Sequence, residues 1–224
     1  MTTTTVVEAA RRRMVDEQLV ARGIRDPLVL AAMGRVPREK FVSDRQAAFA
    51  YEDQPLPIGE GQTISQPFIV ALMTQALTLA RTDRVLEIGT GSGYAAAVLA
   101  EIAAEVYTVE RLAPLAERAR QRLADLGYAN VHVLNGDGTL GWPEHAPYDA
   151  IVATAAGPHV PPALLDQLAI GGRLVMPVGA VAYDQSLIRV FRAETGDDRR
   201  ETLEPVAFVP LIGAQGWPER RAAR

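Results

Sequence analysis

From residue 84 onward, short β-prone apolar runs alternate with helical stripes, and this alternation leaves few folds open. The runs 84–88, 105–109, 131–134, 149–154 and 172–177 read as strands. The segments 93–104, 111–126 and 161–169 between them read as helices. In the second of these, Leu112, Leu115, Ala119, Leu123 and Leu126 recur every three to four residues, and Gly127 stands where a helix-ending glycine belongs. Repeated strand–helix units predict an α/β chain with a mostly parallel, twisted sheet and helices on both faces. Two further runs, 186–191 and 202–209, flank the polar stretch RAETGDDRRE. That stretch is too short for a crossover helix, so the pair is expected as an antiparallel hairpin at the C-terminal side. No internal repeat is present.

Upstream, residues 6 to about 34 read as helical, with Val15, Leu19 and Val20 on one face. The pattern breaks at Gly23 and restarts with Asp26 as N-cap and Pro27 at the first helical position. Thr2 to Thr5 form a low-complexity start expected to be disordered. Residues 35–67 carry Pro37, Pro55, Pro57, Gly59, Gly61 and Pro67, and read as an irregular segment. Long ordered loops of this kind often contact ligands. From Pro67, FIVALMTQALTLA shows a helical stripe at Ile69, Met73, Ala76 and Leu77. The length of 224 residues suits one domain. Residues 1–66 form an N-terminal helical and loop extension of it, 67–209 its core and 210–224 a tail.

Composition removes several chemistries. There is no cysteine, so thiolate nucleophiles, iron–sulfur clusters and thiolate-bound zinc are excluded. His132, His145 and His159 show no ligand spacing, and no metal site is expected. The net charge is −4 with no basic stripe, which argues against nucleic acid as a partner. Arg11 to Arg13 and the group Arg220, Arg221 and Arg224 read as solvated ends. No stretch reads as a membrane span or a signal peptide, so a cytoplasmic protein is expected.

The turn after the first core strand, VLEIGTGSGY, places glycines at 89, 91 and 93. The dinucleotide fingerprint needs its third glycine one residue later, where Tyr94 stands, and a Walker lysine is missing. The phosphate reading therefore loses its support. Glu87 precedes the turn, Glu110 ends the next strand, and Asp137 with Gly138 follows the third. In an open α/β sheet these positions share the ligand-binding edge. Glu110 is placed to accept ribose hydroxyls, and Asp137 to face an adenine amino group. Three carboxylates repel a pyrophosphate and suit a cation bearing a ribose and an amino group. S-adenosylmethionine, leaving as S-adenosylhomocysteine, is such a ligand. Alternatives stand beside two of these assignments: Glu87 as a brace for the turn, and Glu110 as a charge at a helix N-terminus.

The stretches MVDEQLVARGI, VPREKFV, AYEDQPLPIGEGQTISQPFIVA, VLEIGTGSGYAAAVLA, NVHVLNGDG, YDAIVATAA, GGRLVMPVG and FVPLIG resemble the protein-L-isoaspartate O-methyltransferase family over nearly the whole chain. LPIGEGQTISQP is the most family-specific of them. The resemblance implies a Rossmann-like methyltransferase core with additions at both ends, and a monomer. It implies methylation of the free α-carboxylate of L-isoaspartyl residues in damaged proteins and peptides. The ester then collapses to a succinimide, whose hydrolysis returns some normal aspartyl.

By the same resemblance, Ser65 orients the substrate carboxylate, while Gln62, Thr63 and Ile64 line the junction of cofactor and substrate. On spacing alone, Ser65 instead reads as an N-cap before Pro67. Resemblance also places Gln215 in a tail that closes over the cofactor. Thr154, at the end of the fourth strand, is a candidate substrate contact. The chemistry is consistent with these residues. An α-carboxyl with a pKa of about 3.3–3.7 is ionised at neutrality and needs no general base. The rival readings are a related carboxyl O-methyltransferase acting on an aspartate of one dedicated modified peptide, and a non-catalytic cofactor-binding protein.

Overall fold

The computed structural model describes residues 3–179, 184–194 and 196–219. Helix α1 (Thr3–Arg13) continues through a π-helical turn, Met14–Leu19, and a 3-10 turn, Val20–Arg22. It starts inside the threonine run expected to be disordered; Thr2 lies outside the described residues. The helix breaks at Gly23, whose φ of 97° is left-handed. Asp26 caps α2 (Pro27–Arg35) as expected: its Oδ1 accepts from the amides of Leu28 at 2.8 Å and Val29 at 3.3 Å. Such a cap contributes about 1 kcal/mol. Arg11 is not a solvated end, because it donates to the Tyr51 hydroxyl at 2.8 Å and to the Arg35 carbonyl at 3.1 Å. The other arginine group, 220–224, lies outside the described residues.

The proline-rich segment has structure of its own. It holds 3-10 turns at Arg38–Phe41 and Ala47–Phe49, and a hairpin of β1 (Leu56–Gly59) with β2 (Gln62–Ile64). Glu60 and Gly61 make the hairpin turn with φ of 53° and 68°. Two successive positive values are the primed-turn geometry that suits twisted strands. Strands this short carry no readable period, and Glu-Gly is a weaker turn signal than Asn-Gly, so the hairpin was invisible in the sequence.

The core follows as α3 (Pro67–Leu77), β3 (Arg84–Ile88), α4 (Tyr94–Ala100), β4 (Glu105–Glu110), α5 (Ala113–Asp125), β5 (Val131–Asn135), β6 (Tyr148–Ala153), α6 (Pro162–Gln167), β7 (Leu168–Val178), β8 (Gln185–Phe191) and β9 (Arg199–Val206). The seven-stranded sheet has the order β5-β4-β3-β6-β7-β8-β9. Its first five members are parallel, and β8 runs antiparallel to both β7 and β9. Two strands differ from expectation. β7 begins at Leu168, within the stretch expected as the end of a helix, and runs through Gly171 and Gly172. β9 begins at Arg199 because pairing recruits polar residues with no apolar period. Arg189 on β8 pairs with Glu201 on β9 at 2.6 Å.

Alternation along the strands sorts side chains to two faces. Val85, Val106, Val152 and Val175 pack under the N-terminal helices, α3 and α4. Leu86, Ile88, Ile151 and Leu174 pack with Leu164 of α6 and Leu211 of the tail. Strand order reverses between β3 and β6: β4 and β5 extend one way, β7 the other. The crevice beyond the carboxyl ends of β3 and β6 is where such sheets bind ligands.

Candidate active site

Two of the four candidate residues near the strand ends, Glu110 and Thr154, line this crevice. Glu87 lies in β3, Glu110 ends β4, Asp137 follows β5 and Thr154 follows β6. Thr154 Oγ1 donates to the carbonyl of Gly89 at 2.8 Å, tying the end of β6 to the glycine turn. All three turn glycines have left-handed backbones, with φ of 97° at Gly89, 53° at Gly91 and 91° at Gly93. At Gly89 the space is also closed: a Cβ would lie 2.4 Å from Thr154 Oγ1.

The Glu110 carboxylate decides what the turn can bind. One oxygen accepts from the Gly91 amide and the other from the Leu112 amide, each at 2.9 Å. The Gly91 N–H that a phosphate would need is therefore bonded to the protein's own carboxylate. Glu110 also braces the start of α5, whose N-cap is Leu112. Each carboxylate oxygen retains an acceptor site for a ligand hydroxyl.

Glu87 is fully buried and is absent from the residues lining the crevice. Its Oε2 accepts from Thr108 Oγ1 at 2.6 Å, and Thr108 Oγ1 lies 2.6 Å from Thr90 Oγ1 in the glycine turn. The other Glu87 oxygen has no hydrogen-bond partner among the described residues. Burial pushes its pKa up to about 8, against the Thr108 hydrogen bond, with the Glu110 charge adding to the rise. The folded state thus holds a proton that the unfolded chain releases. Stability from this group is full below about pH 4.5 and is lost as pH rises through about 8. Glu87→Gln, neutral throughout, should flatten the decline in thermal midpoint across that window. Parallel pH profiles for the two proteins would contradict this.

The crevice has an outer part, an inner cavity and an open groove. Glu110, Leu112, Gly138, Pro210 and Ile212 line the outer part together with Gln62. Thr90, Ser92 and Tyr94 line the inner cavity with Ile64 and Ser65. Ser65, Gln66, Ile69 and Phe208 line the groove. Thr63 and Thr154 border all three. Gly138 needs its missing side chain, since a Cβ there would stand 2.5 Å from Ile88 Cγ2.

Ser65 is half-buried, and its hydroxyl makes no hydrogen bond to any described residue. The N-cap of α3 is Gln66, without a side-chain bond, so the capping reading of Ser65 fails. The side chain is instead left free at the mouth of the groove.

Asp137, Gly93 and Gln215 do not line these spaces. Asp137 accepts from the Thr139 amide at 2.9 Å and from the Ala214 amide at 2.7 Å, holding the tail beside the crevice. Gln215 accepts from the Ala163 amide at 2.9 Å and clips the same tail to α6. Gly93 is the N-cap of α4, packed against Leu123.

One residue of consequence carried no chemical signal in the sequence. Arg38 is fully buried and donates at 2.7 Å to the carbonyls of both Ala50 and Ser65. Its guanidinium lies 4.7 Å from the centre of the Tyr94 ring. It ties the Ser65 loop to the helix that follows the glycine turn. An isolated arginine in VPREKFV gives no hint of that pairing.

A doubly flanked sheet with this switch point, a glycine turn closed to phosphate and a carboxylate ending the neighbouring strand defines an S-adenosylmethionine-dependent methyltransferase. Residues 9–216 match the family described as Protein-L-isoaspartate(D-aspartate) O-methyltransferase, and the chain belongs to that family. It is 65% identical over 210 residues to protein-L-isoaspartate O-methyltransferase 2 of Pelobacter propionicus, covering 94% of this chain and 93% of the relative. It is 61% identical over 220 residues to protein-L-isoaspartate O-methyltransferase 1 of Rhodopseudomonas palustris, covering 96% and 90%. A solved protein-L-isoaspartate O-methyltransferase superposes with a TM-score of 0.84 at 30% identity, covering 92% of this chain and 67% of that one. A putative member from Plasmodium falciparum, in complex with S-adenosyl-L-homocysteine, gives 0.78 at 26% identity, covering 90% and 98%.

Proposed function

We propose that this chain methylates the free α-carboxylate of L-isoaspartyl residues with Ser65 as the orienting hydroxyl and Thr63 and Thr154 at the point of transfer. The observation that carries this assignment is that Thr63 and Thr154 border both parts of the cofactor crevice and the open groove. Glu110 takes the ribose hydroxyls, and Gly89, Gly91 and Gly138 let the backbone approach the cofactor. Gln62 and Ile64 form the wall between cofactor and peptide. Glu87, Gly93, Asp137 and Gln215 hold the turn and the tail in place from outside the crevice.

S-adenosylmethionine, when bound, supplies an electrophilic methyl on a sulfonium. The residues around it align and dry the acceptor. The substrate carboxylate arrives ionised, so no side chain has to remove a proton. The Ser65 hydroxyl, with no internal partner, donates to one carboxylate oxygen and directs the other at the methyl. Arg38 holds the Ser65 backbone still, which limits misalignment; reactive distances are about 3–3.5 Å. Phe208, Ile69 and Pro210 give the groove an apolar lining, against which the bound carboxylate sheds part of its hydration.

Ser65→Ala removes one hydrogen bond to a charged group, about 1.5–3 kcal/mol. The expected result is a fall of roughly 10–100-fold in kcat/KM on an isoaspartyl hexapeptide, with S-adenosylhomocysteine affinity unchanged. The test uses methyl-labelled cofactor and a second peptide differing only in a normal aspartyl linkage. Undiminished turnover would remove Ser65 from the mechanism. Label on the normal peptide would remove the isoaspartyl assignment.

The chain divides by role into 1–66, which supplies the groove wall, 67–209, which holds the cofactor, and 210–224, whose described part borders the crevice. We place it in the cytoplasm as a monomer. The exposed large hydrophobics among the described residues, Val6, Val20, Phe49, Leu140 and Ile170, are spread along the chain rather than grouped in one segment. No helix among the described residues is long and apolar enough to cross a membrane.

A further inference from the structure

A second concave site lies beside the crevice, and the activity described above does not use it. Its cleft is about 460 Å³, within the size range of small-molecule sites. It is enclosed by the segment after Phe41, strand β1, the glycine turn and helix α5. It shares Gly91 and Ser92 with the cofactor crevice but none of Thr63, Ser65 and Thr154. Phe41, Ile58 and Leu115 give it an apolar wall.

Its charge is one-sided. Arg45, Arg118 and Arg122 line it, and no acidic residue does. Arg45 is exposed and makes no ion pair with any described residue. Arg118 reaches Glu60 at 3.5 Å, a loose and largely exposed pair of the kind that contributes little. Arg122 has no carboxylate partner among the described residues; it donates to the Ser92 carbonyl at 2.7 Å and is half-buried. Burial holds its pKa below the usual guanidinium value, and repulsion from Arg118 lowers it further. The protein as a whole carries a net charge of −4, so this concentration of cations is local. Like charges held together in a concavity favour a counter-charged ligand.

We propose that this cleft binds a small organic phosphate monoester. Guanidinium forks suit tetrahedral oxyanions and bond them bidentately. A phosphate monoester carries about −1.5 to −2 at neutral pH, which matches this group of three under-neutralised guanidiniums better than the single charge of a carboxylate does. The apolar wall accommodates the organic part. Because the cleft is separate from the methyl-transfer centre, such a ligand and S-adenosylhomocysteine bind together.

The test is calorimetric titration of the full chain with phenyl phosphate at fixed ionic strength and saturating S-adenosylhomocysteine. One saturable site is expected. Arg118→Ala and Arg45→Ala should each weaken binding about tenfold or more, since one such contact exceeds about 1.4 kcal/mol. Arg12→Ala, which removes the same charge from an exposed position elsewhere, should leave it unchanged. All three variants should methylate an isoaspartyl peptide at the wild-type rate in the absence of phosphate, showing that they are folded. Non-saturable binding, equal binding by Arg118→Ala, or binding lost on adding S-adenosylhomocysteine would each overturn the proposal. Benzoate binding as tightly as phenyl phosphate would overturn the phosphate assignment.

Discussion

Glu110→Ala should raise the dissociation constant for S-adenosylhomocysteine by about 100-fold or more, measured calorimetrically. On the assignment proposed above, the carboxylate accepts two ribose hydroxyls while its oxygens hold the amides of Gly91 and Leu112, each at 2.9 Å. Hydrogen bonds to a charged group contribute about 1.5–3 kcal/mol each, and each 1.4 kcal/mol is tenfold in affinity. Losing two to the ligand therefore amounts to about two to four orders of magnitude. The alanine variant also frees the Gly91 amide. That exposes the anion site which the native carboxylate fills, so the variant should gain weak affinity for inorganic phosphate that the wild type lacks at this turn. Glu110→Gln should fall between the two, because its amide keeps one acceptor but presents a donor to a backbone N–H. Unchanged affinity in Glu110→Ala would mean that the carboxylate only braces the turn and the start of α5.

Gly89→Ala should lower the unfolding free energy by about 3 kcal/mol or more, read as a drop in denaturation midpoint at constant m-value. Two effects combine. The backbone at φ 97° is strained for any residue with a Cβ, at about 1–3 kcal/mol. The added methyl would also lie 2.4 Å from Thr154 Oγ1. That threonine cannot rotate away without breaking its bond to the Gly89 carbonyl at 2.8 Å. Overpacking of this kind costs about 1–3 kcal/mol more. The double variant Gly89→Ala with Thr154→Ser removes a methyl but retains the hydroxyl, so it should recover little. Pairing Gly89→Ala with Thr154→Ala should recover the steric part and leave the backbone part. A Gly89→Ala protein as stable as wild type would show that the turn can re-form with another backbone conformation.

The sequence was most legible where short-range rules act. Asp26-Pro27 announced a helix start, and the structure has that cap with its two amide bonds. The leucine period of α5 and its closing Gly127 were equally plain, the glycine having a φ of 81°. It was least legible where pairing partners lie far apart. The β1–β2 hairpin hid in a proline-rich stretch because strands of four and three residues have no measurable period. β9 was displaced because its first residues are chosen by β8 across the ladder, not by their own hydrophobicity.

The sequence by itself determined the layer architecture and the ligand class. Periodicity sets which faces must be buried, and the glycine spacing with Glu110 ending the neighbouring strand removes phosphate as the occupant. Only the tertiary structure decided which side chains work together. Placing β6 beside β3, against chain order, brings Thr154 to Gly89, sixty-five residues away. Folding the N-terminal segment over α4 buries Arg38 against Tyr94 and under Ser65. Docking of the tail gives the Asp137 carboxylate to Ala214, rather than leaving it free at its strand end. These contacts depend on sheet order and on long-range burial, and neither is encoded within the few residues over which a local pattern can be read.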